Sequence, residues 1–290
     1  MGLPLGALLL AHDGHDLVWV GLPRADSLGT RRATRTFGDR VSVMPQLNAR
    51  TLRSAREAGA NFLVSWFWTR RVPPVWLRAF EGRTLGVHPS LLPRHRGPDP
   101  IFWAIDCGDT VTGVSAHRLE EAYDVGSVLG PVTVPIDAHA TGWGLAKRLD
   151  RPGLALLRAT VGHVASGAEL AAIPQDESQA THAPSLDDDD LAIVWSWDAS
   201  RILLRIRAAS PWPGAWTELG GEVVTVVRAC LAEEPPPRAL LAGEAWLVGD
   251  RVFVRAGQRA LELEKVRLED ERELSGAALA ALVRAGTSVR

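Results

Sequence analysis

Two side chains in this sequence stand where proton chemistry could be done. His88 ends the short apolar run Thr84-Leu85-Gly86-Val87 and opens a loop in which Pro89, Pro93, Pro98 and Pro100 forbid regular structure. In an open α/β sheet, ligands bind in the crevice outside the carboxyl ends of the strands, so an imidazole at such a strand exit is well placed for chemistry. The same position also suits a histidine satisfied by a neighbouring carbonyl. Further along, LEEAYDVGSVL (119–129) offers a carboxylate, Asp124, at a turn beside Gly126.

The elements that must position these groups alternate. HDLVWVGL (15–22) and NFLVSWFW (61–68) read as strands, residues 49–58 as a polar helix, and PPVWLRAF (73–80) as a short helix opened by proline. Strand, helix and strand in this order predict a parallel sheet. TGVSAHRLE (112–120) and VGSVLGPVTVPI (125–136) read as further strands, and residues 142–167 as helix on both sides of Pro152. Composition then shifts to the polar IPQDESQATHAPSLDDDD (173–190), which reads as a linker whose aspartate run opens a helix. Beyond a helix at 198–209, short β-branched runs separated by Gly, Pro and Asp carry the signature of a small β-barrel or sandwich. The expected division is therefore a domain over 1–172, a linker over 173–197 and a β-rich domain over 198–290.

Composition narrows the function classes. A chain of 290 residues with 46% apolar residues, 23% charged residues and a formal net charge of −2 is that of an ordinary globular protein. It exerts no global pull toward nucleic acid, so RNA contact needs a local basic patch. The most basic stretch of the N-terminal half is the loop expected at 23–40, with five arginines, Arg31, Arg32 and Arg35 among them, against two aspartates. The two cysteines, Cys107 and Cys230, have no ligand-like spacing, which predicts neither a disulfide framework nor a metal site and fits a reducing cytoplasm. The apolar opening is too short to span a membrane.

His88 with HPSLLPRHRG, and Asp124 with Gly126, together resemble the folate-dependent formyltransferases, whose motif is Asn-x-His followed by Ser-Leu-Leu-Pro and later by Asp-x-Gly. RIRAASPWPGAWTELGGEVVTVVRA (205–229) is similar to the start of the C-terminal domain of the methionyl-tRNA formyltransferase family. The resemblance runs through nearly the whole chain. It implies a Rossmann-like parallel-sheet catalytic domain followed by a small OB-like barrel, with 10-formyltetrahydrofolate as formyl donor and initiator methionyl-tRNA as acceptor. His88 would polarise the formyl carbonyl or shuttle the proton, and Asp124 would orient it. Trp66, Trp68, Ser90, Leu91, Leu92, Pro93, Tyr123, Val125 and Gly126 would wall the pterin pocket. Arg31, Arg32 and Arg35 would contact tRNA phosphates. The implied protein is a cytoplasmic monomer without a metal.

The sequence departs from that pattern in two places. Where the family has asparagine, two residues before His88, this chain has Gly86, which removes one oxyanion donor; such a loss costs about 10²–10³ in rate elsewhere. Family members also open with a hydrophobic strand ahead of the first helix, whereas Met1 already stands at that helix, so the sheet is expected to lack its first strand. Either the start codon lies upstream or the chain has drifted from catalysis. The near-neutral second domain leaves a small-molecule amine open as acceptor, and Gly86 leaves open an impaired descendant that binds folate or a partner.

Overall fold

The computed structural model describes residues 4–23, 29–168 and 171–287. Its elements are α1 (Leu5–His12), β1 (Val20–Leu22), α2 (Thr30–Phe37), β2 (Val41–Val43), α3 (Ala49–Glu57), β3 (Leu63–Trp66), α4 (Pro74–Ala79), β4 (Thr84–His88), α5 (Pro100–Asp106), β5 (Val111–His117) and β6 (Val128–Pro135). There follow α6 (Gly142–Ala165), α7 (Asp188–Leu191), α8 (Ala199–Ala209), β7 (Ala215–Leu219), β8 (Glu222–Leu231), β9 (Ala245–Val248), β10 (Arg251–Ala256), β11 (Arg259–Leu268), β12 (Glu273–Leu274) and α9 (Gly276–Thr287). Two compact units result. One comprises Met1–Pro100, Val111–Pro135 and Ala146–Ser185; the other comprises Ile101–Thr110, Ile136–Leu145 and Leu186–Arg290. No helix among the described residues is long and apolar enough to cross a membrane.

The first unit is α/β. β1 pairs with β2 in parallel, and β3 pairs with β4 in parallel, as the strand-helix-strand order requires. β5 and β6 depart from that expectation: β4–β5 and β5–β6 are antiparallel, and the short connection from β5 to β6 carries no helical crossover. Every residue of β4 is buried. Its flanking helices form for local reasons. Asn48 caps α3 by accepting from Arg50 N and Thr51 N, with Thr51 bonding back, and Pro74 opens α4. Leu52 and Ala55 from α3 then pack with Trp76 and Phe80 from the α4 segment.

The sheet of this unit is in two pieces, β1–β2 and β3–β4–β5–β6, with no ladder between them among the described residues. Between β1 and β3 lies a cavity of about 700 Å³, lined by Val18–Leu22 on one side and Phe62–Trp66 on the other. α1 lies over the gap, where a Cβ on Gly6 would touch the Trp66 ring, and Arg158 of α6 grips Asp13 through two 2.6 Å bonds.

Two expectations need correction. The arginine stretch is not a loop over its described part: residues 30–37 are helical, because Ala33 and Phe37 bury against Val20 and Leu22 and leave Arg31, Arg32 and Arg35 exposed on the opposite face. Residues 24–28 of that stretch lie outside the described residues. The polar segment after 172 is not a free linker in its first half. Ile173 bridges to Val128, and His182 bridges to Arg96, so this half is bonded into the first unit.

The second unit is β-rich, a six-stranded antiparallel sheet ordered β7-β8-β11-β10-β9 with β12 on β11. α8, capped by Asp198, buries Ile202 and Ile206. The aspartate run opens α7, with Asp187 and Asp190 forming its capping box.

Candidate active site

His88 is the last residue of β4, and its ring is 6% exposed. The loop beyond it is pinned by hydroxyls. Ser115 of β5 donates to the Ser90 carbonyl (2.8 Å) and accepts from Leu92 N (3.0 Å), while Ser90 donates to the Arg94 carbonyl (2.6 Å). Ser90 is thus fully buried and serves the loop, while Leu91, Leu92 and Pro93 remain half-buried. The loop returns its own backbone to the imidazole, since His88 Nε2 lies 2.8 Å from the His95 carbonyl and must donate to it. His88 Nδ1 is left facing Asp124 Oδ2 at 3.4 Å.

Asp124 sits on the turn between β5 and β6 in a left-handed conformation, φ +54. A non-glycine residue held there costs on the order of 1–3 kcal/mol, which the surroundings must offset. They do so densely. Gly97 N donates to Asp124 Oδ2 (2.9 Å), and Gln175 Nε2 donates to the carbonyls of both Asp124 and Gly126 (2.7 Å each). Gln175 is held in turn by the buried Arg96, whose guanidinium also makes a two-pronged 2.8 Å pair with Glu177. That pairing raises the Arg96 pKa and lowers the Glu177 carboxyl, the hydrogen bond being the main cause in both. Gly97 has φ +127, and a Cβ there would overlap the Ala183 carbonyl oxygen, so only glycine brings its N–H so close. Gly126 approaches the Arg118 carbonyl in the same way.

A third titratable group completes the cluster. His117, the last residue of β5, is 2% exposed, and its Nε2 lies 3.4 Å from Asp124 Oδ1. Its Nδ1 donates to the Arg118 carbonyl at 2.7 Å. Burial pushes its imidazole down to about 4 from the ordinary 6.5, against the pull of the Asp124 charge and with a smaller push from His88. The sign follows directly: between pH 6.5 and 4 the unfolded chain binds the proton and the folded chain does not, so stability falls on acidification through this window. The fall from this group is expected to reach about 3 kcal/mol. Urea midpoints at pH 4, 5 and 6.5 check it, since the His117→Gln variant should show the shallower slope; equal slopes would refute it.

Of the other expected residues, Tyr123 and Val125 lie half-buried on the Asp124 turn. Tyr123 Oη donates to the Thr69 carbonyl (3.3 Å), and Arg71 donates to the Glu121 carbonyl (3.0 Å), so the segment after Trp68 does meet that turn. Trp66 belongs elsewhere. It stacks on Phe67 at 4.1 Å, touches the positions of Gly6 and Gly153, and lines the cavity between the two sheet pieces, as Trp68 also does. Sequence reasoning missed His117, Arg96, Gly97 and Gln175. Arg96 and Gly97 stood inside the quoted HPSLLPRHRG, while nothing local marked His117 or Gln175.

The arrangement can hold, deliver and take back a proton under a buried strand end. Its sequence matches the formyl transferase family over residues 33–161 and the formyl transferase C-terminal domain over 185–283. A methionyl-tRNA formyltransferase from Synechococcus sp. (strain JA-3-3Ab) is 36% identical over 230 residues, which are 77% of this chain and 70% of that protein. The chain belongs to the methionyl-tRNA formyltransferase family. Another member, from Sorangium cellulosum (strain So ce56), is 33% identical over 77% of this chain and 72% of its own length. Solved structures agree on the formyltransferase fold. HypX from Aquifex aeolicus in complex with tetrahydrofolic acid superposes with a TM-score of 0.66 at 20% identity, covering 89% of this chain and 45% of that one. An N-formyltransferase from Helicobacter canadensis in complex with folinic acid and dTDP-3-aminofucose gives 0.66 at 13% identity, covering 89% and 94%.

Proposed function

We propose that this chain transfers the formyl group of 10-formyltetrahydrofolate to the amino group of initiator methionyl-tRNA. The observation that carries the reading is the seating of His88 against Asp124 at the end of a buried strand, in a chain 36% identical to a methionyl-tRNA formyltransferase. The donor supplies an activated formyl carbon. The amine attacks it, the carbonyl becomes an oxyanion, a proton leaves the attacking nitrogen, and the bond to the departing nitrogen breaks. His88 and Asp124 handle that proton, His88 next to the reacting carbonyl and Asp124 behind it. The half-buried aliphatic loop Leu91–Pro93 and Val125 suit the face of a flat ring, which supports a pterin there. Catalysis belongs to residues 1–172 together with the 173–183 segment that clamps Asp124, and tRNA holding to the β-rich residues 198–290. The protein works as a cytoplasmic monomer without a metal.

The acceptor is tested first. Labelled formyl is expected to pass from 10-formyltetrahydrofolate to initiator methionyl-tRNA with the purified chain; transfer to small amines alone would overturn the assignment. Arg31, Arg32 and Arg35 form no ion pairs among the described residues, which leaves their charge for phosphates. Replacing all three by alanine should weaken tRNA binding and reduce the slope of log affinity against log salt by about 2–3, close to one per lost phosphate contact. An unchanged slope would remove this helix from the tRNA interface.

A further inference from the structure

Gly86 looks like a lost catalytic position, but the structure gives it an occupant. β4 and β5 are antiparallel with Gly86 directly opposite His117, so both positions look onto the same face of the sheet. A Cβ on Gly86 would lie 2.7 Å from His117 Cε1, closer still to Nε2, and 2.8 Å from Leu119 Cδ2. With His117 and Leu119 placed as they are, a side chain at 86 would have to push both aside. The glycine is the condition for the histidine.

What the imidazole does there follows from hydrogen-bond accounting. His117 Nδ1 donates to the Arg118 carbonyl, which fixes the tautomer and turns Nε2 toward Asp124 Oδ1. His88 mirrors it, with Nε2 donating to the His95 carbonyl and Nδ1 turned toward Asp124 Oδ2. Two ring nitrogens therefore flank one carboxylate at 3.4 Å on each side, and a proton held by the cluster can bridge Asp124 to one ring or to the other. The two rings stand edge to face, 6.4 Å apart. We propose that His117 is a positioning residue that has displaced the side chain at 86 and holds Asp124 from behind, making a His88–Asp124–His117 proton relay. The inference rests on the formyl-transfer reading for its use in turnover. As the carbon–nitrogen bond forms, the attacking amine loses its proton to the relay; as the donor's carbon–nitrogen bond breaks, the relay returns a proton to the leaving nitrogen and the carbonyl re-forms. His117 presents a lone pair at Nε2, so it does not replace an oxyanion donor. The chain has exchanged a side chain at 86 for an imidazole acceptor that faces Asp124.

The test is a reciprocal swap. Gly86→Asn alone is expected to lose activity, because asparagine and His117 compete for one space. His117→Ala alone should lower kcat about 10²-fold through a misplaced carboxylate and leave KM for the folate donor unchanged. Gly86→Asn combined with His117→Ala should recover activity above either single variant. A Gly86→Asn chain at least as active as the wild type, or a double variant no better than the worse single one, would overturn the proposal. A readout independent of turnover separates this from the acceptor assignment. In ¹⁵N spectra of the histidine rings, Asp124→Asn should shift the Nε2 signal of His117 and the Nδ1 signal of His88 together. A shift at His88 alone would remove His117 from the relay, even if formyl transfer stands. Coupled rings in a chain that formylates no tRNA would keep the relay and refute the acceptor.

Discussion

His88→Ala is expected to lower formyl transfer by about 10²–10⁴-fold, the usual contribution of a positioned acid–base group. The loss should fall on kcat more than on KM for the folate donor, because the side chain acts on the proton and the developing charge. Three features of the site support so large an effect. The ring is buried, its outer nitrogen is fixed by the His95 carbonyl, and its inner nitrogen is turned toward Asp124, so the imidazole is held in one orientation. Single-turnover transfer of labelled formyl measures the effect without interference from product release. A variant within threefold of wild type would end the assignment of His88 as the catalytic group.

Asp106→Ala is expected to destabilise the second unit by about 3–5 kcal/mol, the cost of leaving a buried partner charge uncompensated. Asp106 ends α5 and is 1% exposed. Its two oxygens receive four bonds, from Arg201 at 2.8 and 2.6 Å and from Arg205 at 2.7 and 3.1 Å. Both guanidiniums lie over the Trp197 ring, and that of Arg205 also lies over Phe102. Arg205 is itself 5% exposed and has no route to water once its carboxylate is gone. Urea unfolding of the variant gives the number, and a change below about 1 kcal/mol would mean that the arginines had rearranged. The variant Asp106→Ala/Arg205→Met should regain part of the loss, because it removes the orphaned charge as well.

How much of this was legible in the sequence depends on the range of the interaction involved. His88 was legible because a strand exit and a proline-rich loop are local signals, and Asp124 because a turn glycine follows it. His117 was hidden inside the strand-like TGVSAHRLE, since its meaning comes from the residue opposite it. Register is a pairing between segments 31 positions apart, and the alternation within one segment cannot supply it. Gln175 was hidden for a related reason: a polar residue near a proline reads as solvent-exposed until the buried Arg96 that recruits it is known. The arginine stretch misled in the other direction. Threonine-rich and flanked by Gly29 and Gly38, it has poor local helix propensity, and burial of Ala33 and Phe37 decides its form.

The open seam between β1 and β3 has a consequence for how this protein comes apart. Val20, Leu22, Ala33 and Phe37 form a small core of their own, and among the described residues no backbone ladder joins that block to β3. It is attached by side-chain packing through α1 and through Trp19, whose ring lies 5.2 Å from that of Trp76, and by the Arg158 clasp on Asp13. Breaking such an attachment exposes little surface compared with opening the β4–β5 ladder, so the block forms a separate cooperative unit of low opening energy. Excursions from the native state therefore begin there, at the edge of the first unit. They leave His88, Asp124 and His117 assembled on strands whose ladders those excursions do not touch.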